Sequence, residues 1–366
     1  SPHLTLWCTL HLYHHMLESI MKNTIVGVDL AKKVIQVCKT INRTVRSNEE
    51  MTPDEFILFL ANSKPMTVVF EASGTSSYWK QQALLYGHDA KLISAKLVAS
   101  VRQSQKTDKN DALAIVQAAL LPDVNFISGK SIEQQQLQST MRLRELCSKQ
   151  KTALSNQLIA LLAEFNINSS NRNGGLRGAI ESTLEDASNG FSHEFRKALD
   201  EAWKLYLTVA ETLVTYDECL EASIETHPEC KKLLKLEGVG PINAINLYIA
   251  LGCAELGCFA RGKDASACIG LTPLQYSSGG KSKLGSIGKH VKNTVIRSQL
   301  ITGAAASVRH VIKREAKTCK EKWIQDLVDR RGIKCAAVAL ANKTVRTAFA
   351  MLTQGTEYKA NMILTS

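Results

Sequence analysis

Four carboxylates in this chain stand where they could hold metal ions. The run Lys106-Thr107-Asp108-Lys109-Asn110-Asp111 places two acids one helical turn apart, at the head of the apolar stretch from Ala112 to Leu120. Residues i and i+3 share a helix face, and a helix N-terminus favours anions through its dipole and free N–H groups. Two further acids close hydrophobic strands. Thr24-Ile25-Val26-Gly27-Val28 ends at Asp29, and Met66-Thr67-Val68-Val69-Phe70 ends at Glu71 before the small-residue turn Ala72-Ser73-Gly74. A carboxylate inside an apolar strand is costly unless it is paired or bound to metal. Asp29, Glu71, Asp108 and Asp111 together suit two hard, oxygen-seeking cations such as Mg2+. The plainer alternative for the last two is a helix start, with Asp108 as N-cap and Asp111 as the acid of a capping box.

The elements that must position these acids follow from hydrophobic periodicity. A hairpin is predicted at 25–39 and a third strand at 41–46, followed by a helix at 53–62 and a strand about Val68. A helix from Tyr78 to Leu85, a strand from Ala90 to Ile93, a helix from Ala95 to Ser104 and the Asp111 helix complete the order. In element order and acid placement this resembles the ribonuclease H fold in its RuvC-like branch, which implies a two-metal site for phosphodiester chemistry. Residues 131 to about 165 read as a long helix with Leu137, Met141, Leu146, Leu154, Leu158, Leu161 and Phe165 near heptad spacing. After a break rich in Asn, Ser and Gly, a second helix from Phe191 to Ile224 carries Phe195, Leu199, Trp203, Leu207, Leu213 and Leu220. The pair is expected to form an antiparallel coiled-coil arm, either a spacer or a dimerisation element. Leu236-Glu237-Gly238-Val239-Gly240-Pro241 before an apolar helix has the pattern of a helix-hairpin-helix, whose Gly238 and Gly240 would let backbone N–H groups approach a phosphate.

The expected organisation is an extension of unassigned role at 1–21 ahead of Met21, a RuvC-like α/β domain at 22–128, an arm at 129–227 and a mainly α-helical domain at 228–366. The 366-residue chain carries a formal net charge of +11, and that charge is unevenly spread. Between Arg261 and Arg314 the only acid is Asp264. Lys281, Lys283, Lys289, Lys292 and Arg297 within it are the expected contacts to a polyanion, which makes nucleic acid the partner class. The ten cysteines show no C-x-x-C pair and no zinc spacing. They read as buried thiols in a reducing cytoplasm, Cys253, Cys258 and Cys268 among them. No run is long and apolar enough to span a membrane, and residues 1–20 lack the basic start of a signal peptide.

After Phe259 to Ile269 comes Gly270-Leu271-Thr272-Pro273-Leu274-Gln275-Tyr276-Ser277-Ser278-Gly279-Gly280-Lys281. Gly27-Val28-Asp29, Phe70-Glu71-Ala72-Ser73-Gly74-Thr75, Lys106-Thr107-Asp108 with Asp111-Ala112, Gly238-Val239-Gly240, this block and Gly285 occur in one order. The chain thereby resembles the DEDD transposases of insertion sequences, the bridge-RNA-guided recombinases, from Met21 to the C-terminal region. That resemblance implies a serine nucleophile at Ser278, with Ser277 its neighbouring rival, and a covalent phosphoserine that stores the bond for rejoining. It implies magnesium on Asp29, Glu71, Asp108 and Asp111, and an active centre divided between the acids of one subunit and the serine of another. It further implies donor and target DNA, a structured guide (bridge) RNA, and a dimer assembling to a tetramer. Tyr276 is the aromatic best placed for stacking, or else packs beneath the serine loop. One departure stands out: Lys289-His290-Val291 has Val where family members carry Gly, and a β-branched residue disfavours a left-handed turn. Two other functions fit the same residues: a RuvC-like junction resolvase in which water attacks, and a non-catalytic nucleic-acid-binding protein.

Overall fold

The computed structural model describes residues 24–170, 174–253, 259–288 and 294–361. The 1–21 extension, Lys289, Val291, Lys292 and Cys258 fall outside the described residues. By its internal contacts the chain divides into two compact units. One comprises the chain up to Gln134, Lys235–Val239 and Asn246 onward; the other comprises Gln135–Leu234 and Gly240–Ile245.

The N-terminal part of the first unit is a mixed sheet of β1 (Thr24–Leu30), β2 (Ile35–Ile41), β3 (Thr44–Met51), β4 (Thr67–Glu71) and β5 (Asp89–Ile93). Its spatial order is β3-β2-β1-β4-β5, antiparallel through the first three and parallel from β1 to β4 to β5. Between the strands run α1 (Pro53–Asn62), α2 (Ser76–Leu85), α3 (Ala95–Val101) and α4 (Asp108–Ala119). The third strand therefore lies later than 41–46, because Asn42 and Arg43 take the positive φ of a tight turn. The helix after β5 stops at Val101 and not at Ser104.

Side chains alternate across a strand, so each strand feeds two cores. Val26, Val28, Val68 and Phe70 pack with Phe56 and Leu60 of α1 and Trp79 of α2. The opposite face carries Val69 and Ile93 against Val98 of α3 and Ala114, Ile115 and Ala118 of α4. Ile25, Gly27 and Asp29 belong to that second face by register, as do Val69 and Glu71. Gly27 fixes the distance: a Cβ there would lie 2.5 Å from the Ala112 carbonyl oxygen and 2.7 Å from Val116. Only glycine lets α4 settle this closely on β1.

The second unit holds α5 (Ile132–Glu164, from Gln135 on), α6 (Gly175–Glu185), α7 (His193–Glu225) and α8 (Pro228–Leu233). Arg144 pairs with Asp217, and the Cys147 thiol donates to the Val209 carbonyl at 3.2 Å. Contacts thus fall along α7 as they rise along α5, the antiparallel sense expected for the arm. The seam differs in detail. Leu137, Met141, Cys147, Leu158 and Leu162 are buried, while Leu146 is 53% exposed. Leu199, Trp203 and Leu220 are buried as the pattern predicts.

The rest of the first unit includes the end of α9 (Pro241–Leu247), a π-helical turn at Tyr248–Cys253, α10 (Gly262–Ile269), the hairpin β6 (Pro273–Ser278) and β7 (Lys281–Ile287), α11 (Thr294–Val311) and α12 (Cys319–Gln354). α12 is not one rod. Gly332 leaves helical geometry (φ 79°, ψ 166°), and Lys343 Nζ sits 4.6 Å from the Trp323 ring centroid. Twenty residues of straight helix span about 30 Å, so the two arms fold back on each other at Gly332. Cys38, Cys147 and Cys230 are buried as expected, but Cys219, Cys268, Cys319 and Cys335 are exposed. Cys268 stands with Ala267 on the exposed side of its helix, whose buried side is Ala265, Ser266 and Ile269.

Candidate active site

The second face of the sheet gathers the acids. Asp29 ends β1, Glu71 ends the parallel neighbour β4, and α4 brings Asp108 and Asp111 onto the same face. The N-cap of α4 is Thr107, whose hydroxyl accepts from the Asn110 N–H. Neither Asp108 as N-cap nor Asp111 as a capping-box acid is therefore found: Thr107 already satisfies the free N–H, and the acids become the first and fourth residues of the helix. Asp111 is nearly buried, at 6% exposed. Its Oδ1 accepts from Arg102 Nη1 at 2.6 Å.

The four acids feel one another. Burial raises the Asp29 carboxyl above its ordinary value, and the charges of Asp111 and Asp108 raise it further. Burial likewise raises Glu71, helped by the charges of Asp29 and Asp111. Lys106 opposes both shifts, and Arg102 opposes that of Glu71. Like charges held this close destabilise the bare protein and favour whatever cation neutralises them.

One neutral side chain joins the cluster that sequence reading did not select. Gln36 lies opposite Asp29 in the β1–β2 register and is 1% exposed. Its Nε2 donates to Asn48 Oδ1 at 2.8 Å, and Asn48 Nδ2 donates to the Lys109 carbonyl at 3.0 Å. A carbonyl oxygen only accepts, so Lys109 fixes the orientation of both amides in turn. Gln36 Oε1 is left buried without a partner. Its signal in the sequence was faint: a Gln in an apolar strand, next to nothing acidic.

Four carboxylates on one face of the sheet, with Asp29 and Glu71 raised by burial and by neighbouring charge, and an orphaned Gln36 amide oxygen on the same face are donors of the type a hard divalent cation takes. Among the described residues no three acidic, His or Cys side chains stand within common reach of one ion. Asp111 is drawn instead to Arg102.

The serine segment is a β-hairpin, not an irregular loop. Gly279 and Gly280 take φ of 55° and 78°, the left-handed pair a two-residue hairpin turn requires. Ser278 pairs with Lys281, Ser277 with Ser282, and Tyr276 with Lys283. Directly opposed residues share a face, so Ser278 stands with Tyr276, Lys281 and Lys283, whereas Ser277 faces the other way with Ser282. Tyr276 is 54% exposed, which excludes packing beneath the serines. Its ring lies across Gly285, where a Cβ would come within 3.3 Å of it.

The Gly270-Leu271-Thr272-Pro273 block ends α10. Gly270 (φ 82°) caps the helix, its N–H donating to Ala267 and that of Leu271 to Ser266. Leu271 is buried and Pro273 opens β6. Gly238 has its own structural reason: φ is 76°, and a Cβ would lie 2.7 Å from the Gly303 carbonyl oxygen of α11. Gly240 has open space around it. Arg297 lies against Gly288 at the end of the hairpin. Arg261 is paired with Asp264 and Arg314 with Glu321, so not every cation of the basic stretch is unspent.

Comparison with known proteins finds two family matches along the chain. A DEDD transposase family model of the IS110 type, described as "Transposase", covers residues 26–167. A second, described as "Transposase IS116/IS110/IS902 family", covers residues 230–320. The transposase for insertion sequence element IS1111A of Coxiella burnetii is 32% identical over 92% of this chain and 91% of its own length. The chain belongs to the IS110/IS116 family of transposases. A probable family 20 transposase of Pseudomonas aeruginosa is also 32% identical, over 91% of this chain and 98% of the relative. The transposase for insertion sequence element IS1328 of Yersinia enterocolitica is 26% identical over 92% of this chain. The first family match contains all four acids and the sheet that carries them; the second contains Gly238, Gly240, the hairpin and Arg297. Among the described residues, no helix of the transposase is long and apolar enough to cross a membrane.

Proposed function

We propose that this transposase cuts and rejoins DNA through Ser278, with Mg2+ held by Asp29, Glu71, Asp108 and Asp111, and with target choice supplied by a structured guide RNA. The observation that carries the reading is the convergence of the four acids on one face of the sheet, where their shared repulsion calls for a cation. When bound, the cation would polarise the scissile phosphate and offset charge building on its oxygens. Gln36 Oε1 is suited to orient a ligand or its water from beside Asp29.

Ser278 Oγ forms a bond to phosphorus as the bridging P–O bond to the sugar breaks, and the hydroxyl proton ends on the released sugar oxygen. The phosphoserine ester keeps the bond free energy, and attack by a new sugar hydroxyl reverses the step. Lys281 and Lys283 on the serine's own face meet the phosphate and favour Ser278 over Ser277. The acids and the serine stand on separate parts of the chain, the acids on the N-terminal sheet and α4 and the serine on the β6–β7 hairpin, which supports their being brought together between subunits of a dimer or tetramer. Gly240 is the better candidate of the two turn glycines for a backbone phosphate contact, because Gly238 is committed to α11. Lys289, Lys292 and Arg297 continue the run of basic residues along the sequence.

Incubation with labelled DNA, the guide RNA of the element and Mg2+ separates the alternatives. Ser278→Ala is expected to lose cleavage; a junction resolvase using water would cleave normally with alanine there. A purely nucleic-acid-binding protein would show no activity for Asp29→Asn to remove.

A further inference from the structure

A basic concavity in the C-terminal part has none of the four acids in its lining. It is lined by Arg261, Gly262 and Lys263 at the start of α10, by Leu271, Pro273 and Ile287 at the root of the hairpin, and by both arms of α12. The cleft volume is about 1190 Å3, ample for more than one nucleotide. Four cations line it, Arg261, Lys263, Lys343 and Arg346, and its lining contains no Asp or Glu. Arg261 is paired with Asp264, while Lys263, Lys343 and Arg346 are exposed and make no ion pair among the described residues. Trp323 supplies an aromatic wall with Lys343 over its ring, and Leu271, Val338 and Phe349 supply an apolar floor.

The cleft is built, not incidental. A Cβ on Gly262 would come within 3.2 Å of the Arg346 backbone, so glycine lets α10 seat on α12. Asn342 Nδ2 donates to the Leu271 carbonyl at 3.1 Å, tying the second arm of α12 to the hairpin root. Pro273 and Ile287 are the register pair that closes that root. From Pro273 to Ser278 the ribbon rises about 17 Å, and Lys283 and Lys281 line the way to the serine.

From this geometry we infer that the cleft binds an unpaired polynucleotide strand and leads it along the hairpin to Ser278. A stripe of cations without acids tracks a phosphate backbone, and an aromatic wall takes bases from a single strand; stacked bases of a duplex cannot reach it. The inference rests on the proposed function for what happens at the hairpin tip, but the binding itself does not require catalysis.

The test is fluorescence anisotropy with a labelled 20-nucleotide single-stranded DNA, the matching RNA and the DNA duplex. The proteins compared are wild type, Lys343→Ala/Arg346→Ala, Trp323→Ala and Trp323→Phe, with melting curves confirming that each folds. The double variant is expected to weaken single-strand binding at least tenfold. It should also lower the slope of log affinity against log salt by about 1.4, two phosphates' worth for a single strand. Trp323→Ala should weaken single-strand binding roughly fivefold or more while Trp323→Phe retains it. Duplex affinity should change less in every variant. A preference for DNA or for RNA names the strand, and either supports the cleft. Equal losses for duplex and single strand, no loss, or displacement by a poly-glutamate peptide of equal charge would overturn it. Strand binding by the wild-type protein with no cleavage in the presence of guide RNA and Mg2+ would refute the proposed function and leave the cleft standing.

Discussion

At the scale of single residues, the acid cluster sets function against stability. Burial and mutual repulsion raise the carboxyls of Asp29 and Glu71. A carboxyl raised in the folded state favours folding when protonated, and that contribution is lost as pH rises past its unfolded value. The metal-free transposase should therefore lose stability as pH climbs from the ordinary carboxylate range toward neutrality, and Mg2+ should restore it. Asp29→Asn is expected to abolish cleavage while raising the melting temperature of the metal-free protein; a lowered melting point would show the cluster is held by its charges, not strained by them. Asp111 is ion-paired with Arg102. Asp111→Asn should still cost far more cleavage than stability, compared through rates and urea midpoints. Gln36→Leu should weaken Mg2+ binding roughly 10- to 100-fold, as loss of a supporting ligand commonly does, read by calorimetry on uncut protein.

At the scale of elements, glycines set the distances that the acids and the hairpin need. Gly27→Ala would drive a methyl into the Ala112 carbonyl and Val116, moving α4 and with it Asp108 and Asp111 off Asp29. Overpacking of this kind costs about 1–3 kcal/mol, so the variant should show a lower urea midpoint and weaker Mg2+ binding together. The strand-and-acid pattern of the N-terminal domain was legible because alternation and strand-ending acids are local signals. Four features were not. Thr107 took the cap that Asp108 was expected to hold, since a hydroxyl and a carboxylate compete for the same N–H and sequence alone does not rank them. The Ser277-Ser278-Gly279-Gly280 run looks like a loop until pairing across the turn shows a hairpin. Leu146 fits a heptad yet faces out, because Cys147 takes the seam. Gly332 looks unremarkable inside a helix-forming stretch, yet it folds α12 back and brings Lys343 to Trp323.

At the scale of the whole molecule, acids and serine lie in separate halves of the chain, matched by separate family models. A centre completed between subunits predicts complementation: Asp29→Asn and Ser278→Ala proteins, each inactive, should regain cleavage when mixed into one oligomer. Failure to recover any activity in mixed oligomers would place the full site within one subunit. The net charge of +11 adds a steep salt dependence to nucleic-acid binding that substitutions at the acids should not flatten. The central claim, a serine that becomes bonded to DNA, has one decisive measurement. The denaturation-resistant protein–DNA adduct formed with guide RNA and Mg2+ is digested and the nucleotide-bearing residue located by mass spectrometry. The account predicts a phosphodiester on Ser278, absent from Ser278→Ala and retained in Ser277→Ala. A nucleotide on Ser277, or full DNA cleavage with no adduct at all, would contradict it.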